Sequence, residues 1–246
     1  MSKVIYRASP GQVSYGEVIG IILLDSCAPY IPGDVANAST YQYPVRFRKV
    51  SGLTVERIFN HDLSLLEKVT EAAFDLKNNG VRAITGDCGF MAIYQQALTE
   101  KVDLPVFMSS LLQIPFLCRL IKQNDQIGII TANSESLTEK VLESCGANLP
   151  GRIAVGGMEK CQNFRAAFIE EKGDLNRNKV EEEVVLTAKN LLASFPAVRI
   201  ILLECSVLPP YGASIQQATG LPVFDFITMI DYVCSAVLKK EFQGFM

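Results

Sequence analysis

The chain repeats a long stretch of itself, and that repetition constrains the fold more than any other feature. Residues 81–107 read VRAITGDCGFMAIYQQALTEKVDLPVF, and residues 198–224 read VRIILLECSVLPPYGASIQQATGLPVF. Each copy opens on Val-Arg, carries a cysteine at the same offset, contains Gln-Gln-Ala and closes on Leu-Pro-Val-Phe. The separation of Cys88 from Leu104 equals that of Cys205 from Leu221, although Gln-Gln-Ala slides by four residues between the copies. Upstream, Ile19-Gly20-Ile21-Ile22 returns as Ile127-Gly128-Ile129-Ile130, which sets Asp25-Ser26 opposite Asn133-Ser134. A period of about half the chain means a duplicated domain and not a solenoid of short repeats.

The whole of the chain agrees with two such units. Its 246 residues correspond to roughly one large or two small domains. With 49% apolar and 20% charged residues it can bury a full core. The net charge of −3 and the lack of a basic run exclude nucleic acid as the main partner, since phosphate binding needs clustered Lys and Arg. The locally basic stretch Tyr43–Arg57 suits a small anion better, and Arg46 or Arg48 is either an anion partner or a solvated charge. No apolar run approaches the roughly 18 residues of a membrane span, and MSKVIYRASPGQ lacks the apolar core of a secretion signal. The expectation is a cytoplasmic protein with no membrane partner. Its seven cysteines are then mostly reduced. With one histidine and neither a CxxC pair nor a Cys/His cluster, no metal site is expected.

The hydrophobic pattern alternates strand and helix. After an irregular lead over residues 1–16, Val18–Leu24 is a continuous apolar run, as in a buried parallel strand. Residues 26–43, rich in Pro and Gly, form a long loop of the kind that is often functional. Strands are predicted at Val45–Val50, Val81–Thr85 and Leu104–Met108, with a helix over Asp62–Asn79 and others after Cys88 and after Ser109 or Ser110. The second half predicts strands at Gln126–Thr131, Arg152–Val155, Val198–Leu203 and Pro222–Phe224. Helices are predicted at Ser134–Ser144, within 161–194, after Pro209-Pro210, and from Ile227 to Lys240. This alternation predicts an α/β protein of parallel sheets.

Both repeated cysteines fall just past a strand and just before a helix. Ligands in open parallel sheets bind beyond the carboxyl ends of the strands. A helix N-terminus there favours thiolate. Two thiols facing one another across a cleft suit proton exchange at a stereocentre, one removing the α-proton and the other returning one from behind. The competing reading is that free cysteine packs as a small hydrophobe, and that is the reading for Cys118, Cys145, Cys161 and Cys234.

Strand-Asp25-Ser26, strand-Cys88-helix, strand-Thr131 and strand-Cys205-helix together resemble the aspartate/glutamate racemase superfamily. That superfamily takes in cofactor-independent amino-acid racemases, hydantoin and allantoin racemases, arylmalonate decarboxylase and maleate isomerase. The resemblance implies two pseudo-symmetric Rossmann-like lobes with the active site in the cleft between them. The first lobe is expected to be residues 1–115 plus 222–246, and the second 116–221. It implies a racemase or epimerase of the isomerase class that needs no cofactor, acting on a small carboxylate- or amide-bearing molecule, with Cys88 and Cys205 as the acid–base pair. The rivals are a decarboxylase, a cis–trans isomerase and a small-acid-binding protein that kept the cleft. A homo-oligomer is a state this class allows.

The resemblance also implies that Asp25 and Ser26 orient Cys88 and touch substrate; as residues they fit a turn or cap equally. Asp87 and Glu204, each directly before a cysteine, are either proton shuttles or caps, since neighbours on an extended segment point opposite ways. Thr85, Gly89, Phe90, Thr131, Ser134 and Ser206 are candidates to supply hydroxyl and backbone N–H groups for a carboxylate. The chain departs from the amino-acid racemases after both cysteines, with Gly89-Phe90 for Asn-Thr and Ser206-Val207-Leu208-Pro209-Pro210 for Thr-His.

Overall fold

The computed structural model describes residues 5–147 and 149–246. Eight strands form two separate four-stranded parallel sheets. The first contains β1 (Ile19–Leu23), β2 (Val45–Lys49), β3 (Ala83–Gly86) and β4 (Val106–Phe107) in the order β2-β1-β3-β4. The second contains β5 (Gln126–Thr131), β6 (Ile153–Gly157), β7 (Val198–Leu203) and β8 (Val223–Phe224) in the order β6-β5-β7-β8. The α/β two-lobed architecture expected from the repeat is therefore present, down to the hydrogen-bond register. Ile19 pairs with Ala83 in one sheet, and the repeat-equivalent Ile127 pairs with Ile200 in the other.

The helices are α1 (Val55–Phe59), α2 (Leu66–Asn78), α3 (Gln95–Lys101), α4 (Ile114–Leu120), α5 (Glu139–Ser144), α6 (Gln162–Phe164), α7 (Arg177–Ser194), α8 (Gly212–Thr219) and α9 (Phe226–Val237). Several begin at side chains suited to accept an orphan backbone N–H: Thr54, Thr138, Asn176 and Asp225 each cap one. Alternate residues of the central strands face opposite layers. Ile22 meets α2, and Ile19 and Ile21 meet α9. In the second sheet Ile130 meets α7, and Ile127 and Ile129 meet α4.

Glycine lets each central strand approach its helix. A methyl on Gly20 would lie 3.0 Å from Leu76 and 3.1 Å from Val81, and one on Gly128 would lie 2.8 Å from Leu191 and 3.0 Å from Val198. The Gly20–Val81 and Gly128–Val198 pairings join equivalent positions of the repeat.

Three differences from the sequence expectation have physical causes. The strand Val223–Phe224, expected to return with the last helix to the first lobe, pairs with β7 in the second sheet, so only α9 crosses back. A two-residue strand has no face long enough to reveal its sheet, whereas Phe226, Met229, Ile230 and Cys234 form a helical stripe matched to Ile19 and Ile21. The helix after Cys88 starts as a 3₁₀ turn over Gly89–Tyr94 and becomes α-helical only at Gln95. The strand predicted to end at Val155 runs on through Gly156 and Gly157, since glycine pairs in a ladder as readily as it turns. The first four residues of the irregular lead lie outside the described residues, and the rest of it holds no strand or helix.

Candidate active site

The carboxyl ends of both sheets converge on one cavity of about 40 Å³. Cys88 and Cys205, both buried, line it together. From the first lobe come Leu24, Ser26, Ala28, Tyr30, Val55, Phe59 and Asp87; from the second, Ala132, Phe168, Glu171, Ser206 and Val207. The long loop over residues 26–43 forms part of the wall. It packs on the second lobe where Gly33, at φ +101°, lies against Pro210 and where Val35 N–H donates to the Ser206 carbonyl. Ser26 and Tyr30 hydrogen-bond through their hydroxyls.

The opposite wall comes from a short π-helical turn at Arg165–Ile169, an irregularity that recurs at functional sites. It presents Phe168, and Glu171 follows in the left-handed region at φ 49°. The Glu171 carboxylate accepts the Cys27 N–H at 2.7 Å, tying this wall to the first lobe.

Behind the thiols the repeat is visible again as chemistry. Leu24 N–H donates to both carboxyl oxygens of Asp87, at 3.0 and 3.2 Å. At the equivalent place, the Ala132 backbone N–H faces the Glu204 carboxyl and favours its charged form. Each acid thus holds the chain just past its central strand. Burial pushes both up to about 7, because a low-dielectric surrounding penalises the charged form. Each sulfur has a matched neighbour too: the backbone N–H of Phe90 at Cys88 and that of Val207 at Cys205 each favour the thiolate form.

The expectation that helix N-termini favour thiolate is corrected here. Burial, then the negative charge of Glu204, holds the Cys88 and Cys205 thiols well above the ordinary range. The turns that follow them are short 3₁₀ segments, so their partial charge does not offset desolvation.

Among the residues expected to bind substrate, Ser26, Asp87 and Ser206 line the cavity with the two cysteines, and the others lie outside the lining. Asp25 is held by Lys49 at 2.8 Å and Gly52 N–H at 2.9 Å. Thr85 donates to the Phe107 carbonyl, joining β3 to β4. Phe90 is buried edge-on to Phe59 at 5.4 Å. Gly89 packs against Glu204. Thr131 donates to Glu204 Oε2 at 2.8 Å. Ser134 donates to Glu159. A hydroxyl or carboxyl at a strand end has two faces to choose from, and sequence spacing does not say which one meets the cleft. Arg46 and Arg48 pair with Glu17 and Asp75, and His61 Nε2 contacts the Ser136 carbonyl across the lobes. Tyr30, Phe59, Phe168 and Glu171 were not found by sequence reasoning. The long loop signalled the first, and the break in the helical pattern before Gly173 signalled the last two. Among the described residues no cluster of His, Cys, Asp and Glu is arranged to hold a metal ion, and no helix is long and apolar enough to cross a membrane.

No family model matches the chain. It is 35% identical over 221 residues to a dimethylsulfoniopropionate lyase of Durusdinium sp. clade D, covering 87% of this chain and 73% of that protein. It is 34% identical over 236 residues to dimethylsulfoniopropionate lyase 3 of Emiliania huxleyi, covering 92% of this chain and 61% of that longer protein. In three dimensions it is similar to unliganded arylmalonate decarboxylase, with a TM-score of 0.58, 14% identity, and 90% of this chain and 92% of that one covered. Allantoin racemase from Klebsiella pneumoniae gives a TM-score of 0.62 at 12% identity, covering 90% and 87%. The fold is that of the aspartate/glutamate racemase superfamily, as the resemblance implied.

The sequence relatives overturn the functional expectation. They carry the name of lyases, so the racemase or epimerase reading and its isomerase class are corrected, and with them the decarboxylase, cis–trans isomerase and binding-protein alternatives. The error has a chemical cause. Inversion and elimination can begin with the same step, removal of a proton beside a carboxylate. Which bond changes next depends on the substrate, and twin cysteines do not encode it.

Proposed function

The chain belongs to the family of the dimethylsulfoniopropionate lyases, and on that premise we propose that it breaks the carbon–sulfur bond of dimethylsulfoniopropionate by β-elimination. The lining of the cavity carries this reading. Around the two thiols stand three aromatic rings, Tyr30, Phe59 and Phe168, and two carboxyl groups, Asp87 and Glu171, with no lysine, arginine or histidine. A sulfonium is a compact cation with no hydrogen to donate. Aromatic faces attract such a cation by about 0.5–2 kcal/mol each, and a carboxylate adds Coulombic attraction. The substrate's own carboxylate has the hydroxyls of Ser26, Tyr30 and Ser206 as hydrogen-bond donors.

The reaction needs one base. A cysteine thiolate takes the proton from the carbon beside the carboxylate, forming S–H as C–H breaks. That electron pair becomes the carbon–carbon double bond, the C–S bond breaks, and sulfur leaves with its pair as neutral dimethyl sulfide. Acrylate remains.

Burial keeps both thiols protonated because thiolate is poorly solvated there. A bound cation reverses this. A unit positive charge about 4 Å from the sulfur, at an effective dielectric constant of about 20, favours thiolate by about 4 kcal/mol. That is about three pKa units. The substrate's cationic end thus helps to create the base that attacks its other end.

The test is to incubate the purified protein with dimethylsulfoniopropionate and measure headspace dimethyl sulfide together with acrylate. Equal amounts of both, lost in Cys88→Ala, support the reading. No acrylate above the uncatalysed background, at any pH across the thiol and carboxyl range, overturns it.

A further inference from the structure

Elimination needs one base, yet the duplicated fold supplies two thiols in nearly equivalent places. Where the two halves differ therefore matters. Asp87 has both carboxyl oxygens on the Leu24 N–H. Glu204 is one methylene longer, and Thr131 takes its Oε2 through a hydroxyl at 2.8 Å. The repeat counterpart of Thr131 is Leu23, which has no hydroxyl. Glu204 Oε1 is left over. It is fully buried, has no hydrogen-bond partner, and lies across the lobe boundary against Gly89, the residue after Cys88. A buried oxygen without a donor is costly, and native structures retain few.

We propose that Glu204, acting through Cys88, is the positioning residue that accepts the Cys88 thiol proton and so selects Cys88 over Cys205 as the base. This rests on the elimination reading in requiring a single base. The thiol S–H bond breaks and an O–H bond forms on Glu204 Oε1, leaving thiolate beside a neutral acid. The thiolate then takes the substrate proton, and dimethyl sulfide leaves with the C–S electron pair. Afterwards Cys88 is a thiol and Glu204 a neutral acid. When the cavity opens, Glu204 gives its proton to solvent, which is the one proton the overall reaction releases. After burial itself, the charge of Glu204 acts on Cys88 more strongly than any other, consistent with its reach across the boundary.

The experiment combines turnover with site-resolved alkylation by iodoacetamide, read by mass spectrometry, in the wild-type chain, Glu204→Gln and Glu204→Asp. Loss of a negative charge alone makes a neighbouring thiol easier to ionise, so a bystander role predicts faster Cys88 alkylation in Glu204→Gln. A proton-accepting role predicts the opposite. Cys88 alkylation falls about tenfold or more while Cys205 changes little, and kcat falls about 10²-fold, the low end for acid–base positioning, with KM nearly unchanged. Glu204→Asp keeps the charge but withdraws the oxygen from Gly89, and it loses turnover as well while its melting temperature stays near that of the wild type. Faster or unchanged Cys88 alkylation in Glu204→Gln, or wild-type turnover in Glu204→Asp, overturns the proposal. Alkylation needs no substrate, so the result stands apart from whether dimethylsulfoniopropionate is cleaved.

Discussion

Gly89 of the first lobe sits directly against the Glu204 carboxyl of the second, so close that a methyl at position 89 would collide with both the carboxyl and the Glu204 carbonyl. The backbone contact leaves no easy escape. Gly89→Ala is expected to cost about 1–3 kcal/mol of stability, the usual penalty for overpacking, and to depress turnover by shifting Glu204 away from Cys88. Chemical denaturation and initial rates on the same preparation check both. Unchanged stability would show that the lobes separate here without cost.

The buried acids make stability depend on pH in a set direction. Asp87 and Glu204 rise from ordinary values of 3.8 and 4.5 to about 7 in the folded chain. Between those limits the folded state holds protons that the unfolded chain has released. Their contribution therefore favours folding most below about pH 4 and is lost as pH rises through about 7. The slope of melting temperature between pH 5 and 7 should be flatter in a protein carrying Asp87→Asn and Glu204→Gln than in the wild type. An identical slope in both contradicts this assignment.

The aromatic wall is expected to govern cation recognition. Phe168→Ala removes one ring from the cavity, and Glu171→Gln removes a negative charge while keeping the Cys27 N–H acceptor. Each is expected to raise KM for dimethylsulfoniopropionate by roughly threefold to thirtyfold, the equivalent of one cation–π contact. Binding of the neutral thioether analogue should change less. Equal effects on the charged and neutral ligands would mean that these residues act by shape alone.

The two central glycines test the duplication energetically. A methyl on Gly128 meets Leu191 at 2.8 Å, and one on Gly20 meets Leu76 at 3.0 Å. Both Gly20→Ala and Gly128→Ala should destabilise, by about 1–3 kcal/mol for an overfilled core, with Gly128→Ala the worse. Denaturation midpoints of the two variants decide it. A neutral result at either position would mean that its helix moves off the strand freely.

Much of the site was legible because a repeat preserves register. The matched offsets of Cys88 and Cys205 from their strands placed both thiols in one cavity. Asp87 and Glu204 were readable as neighbours of those thiols. That Asp87 lines the cavity while Glu204 turns its free oxygen toward Gly89 was not, because side-chain direction depends on what the opposite lobe presents. Tyr30 and Phe168 come from an irregular loop and a π-helical turn, where no period tells which residue faces inward.

The sequence by itself determined the twin α/β lobes and the pair of strand-end cysteines, since period and spacing are local properties that survive unfolding. Only the tertiary structure decided that the cavity lining is aromatic and, among the described residues, without cationic side chains, and that one of two matched acids is left with an unpartnered oxygen. Those properties arise where the lobes meet, between residues far apart along the chain, and there solvent exclusion sets both the charge state of the thiols and the kind of ligand the cavity attracts.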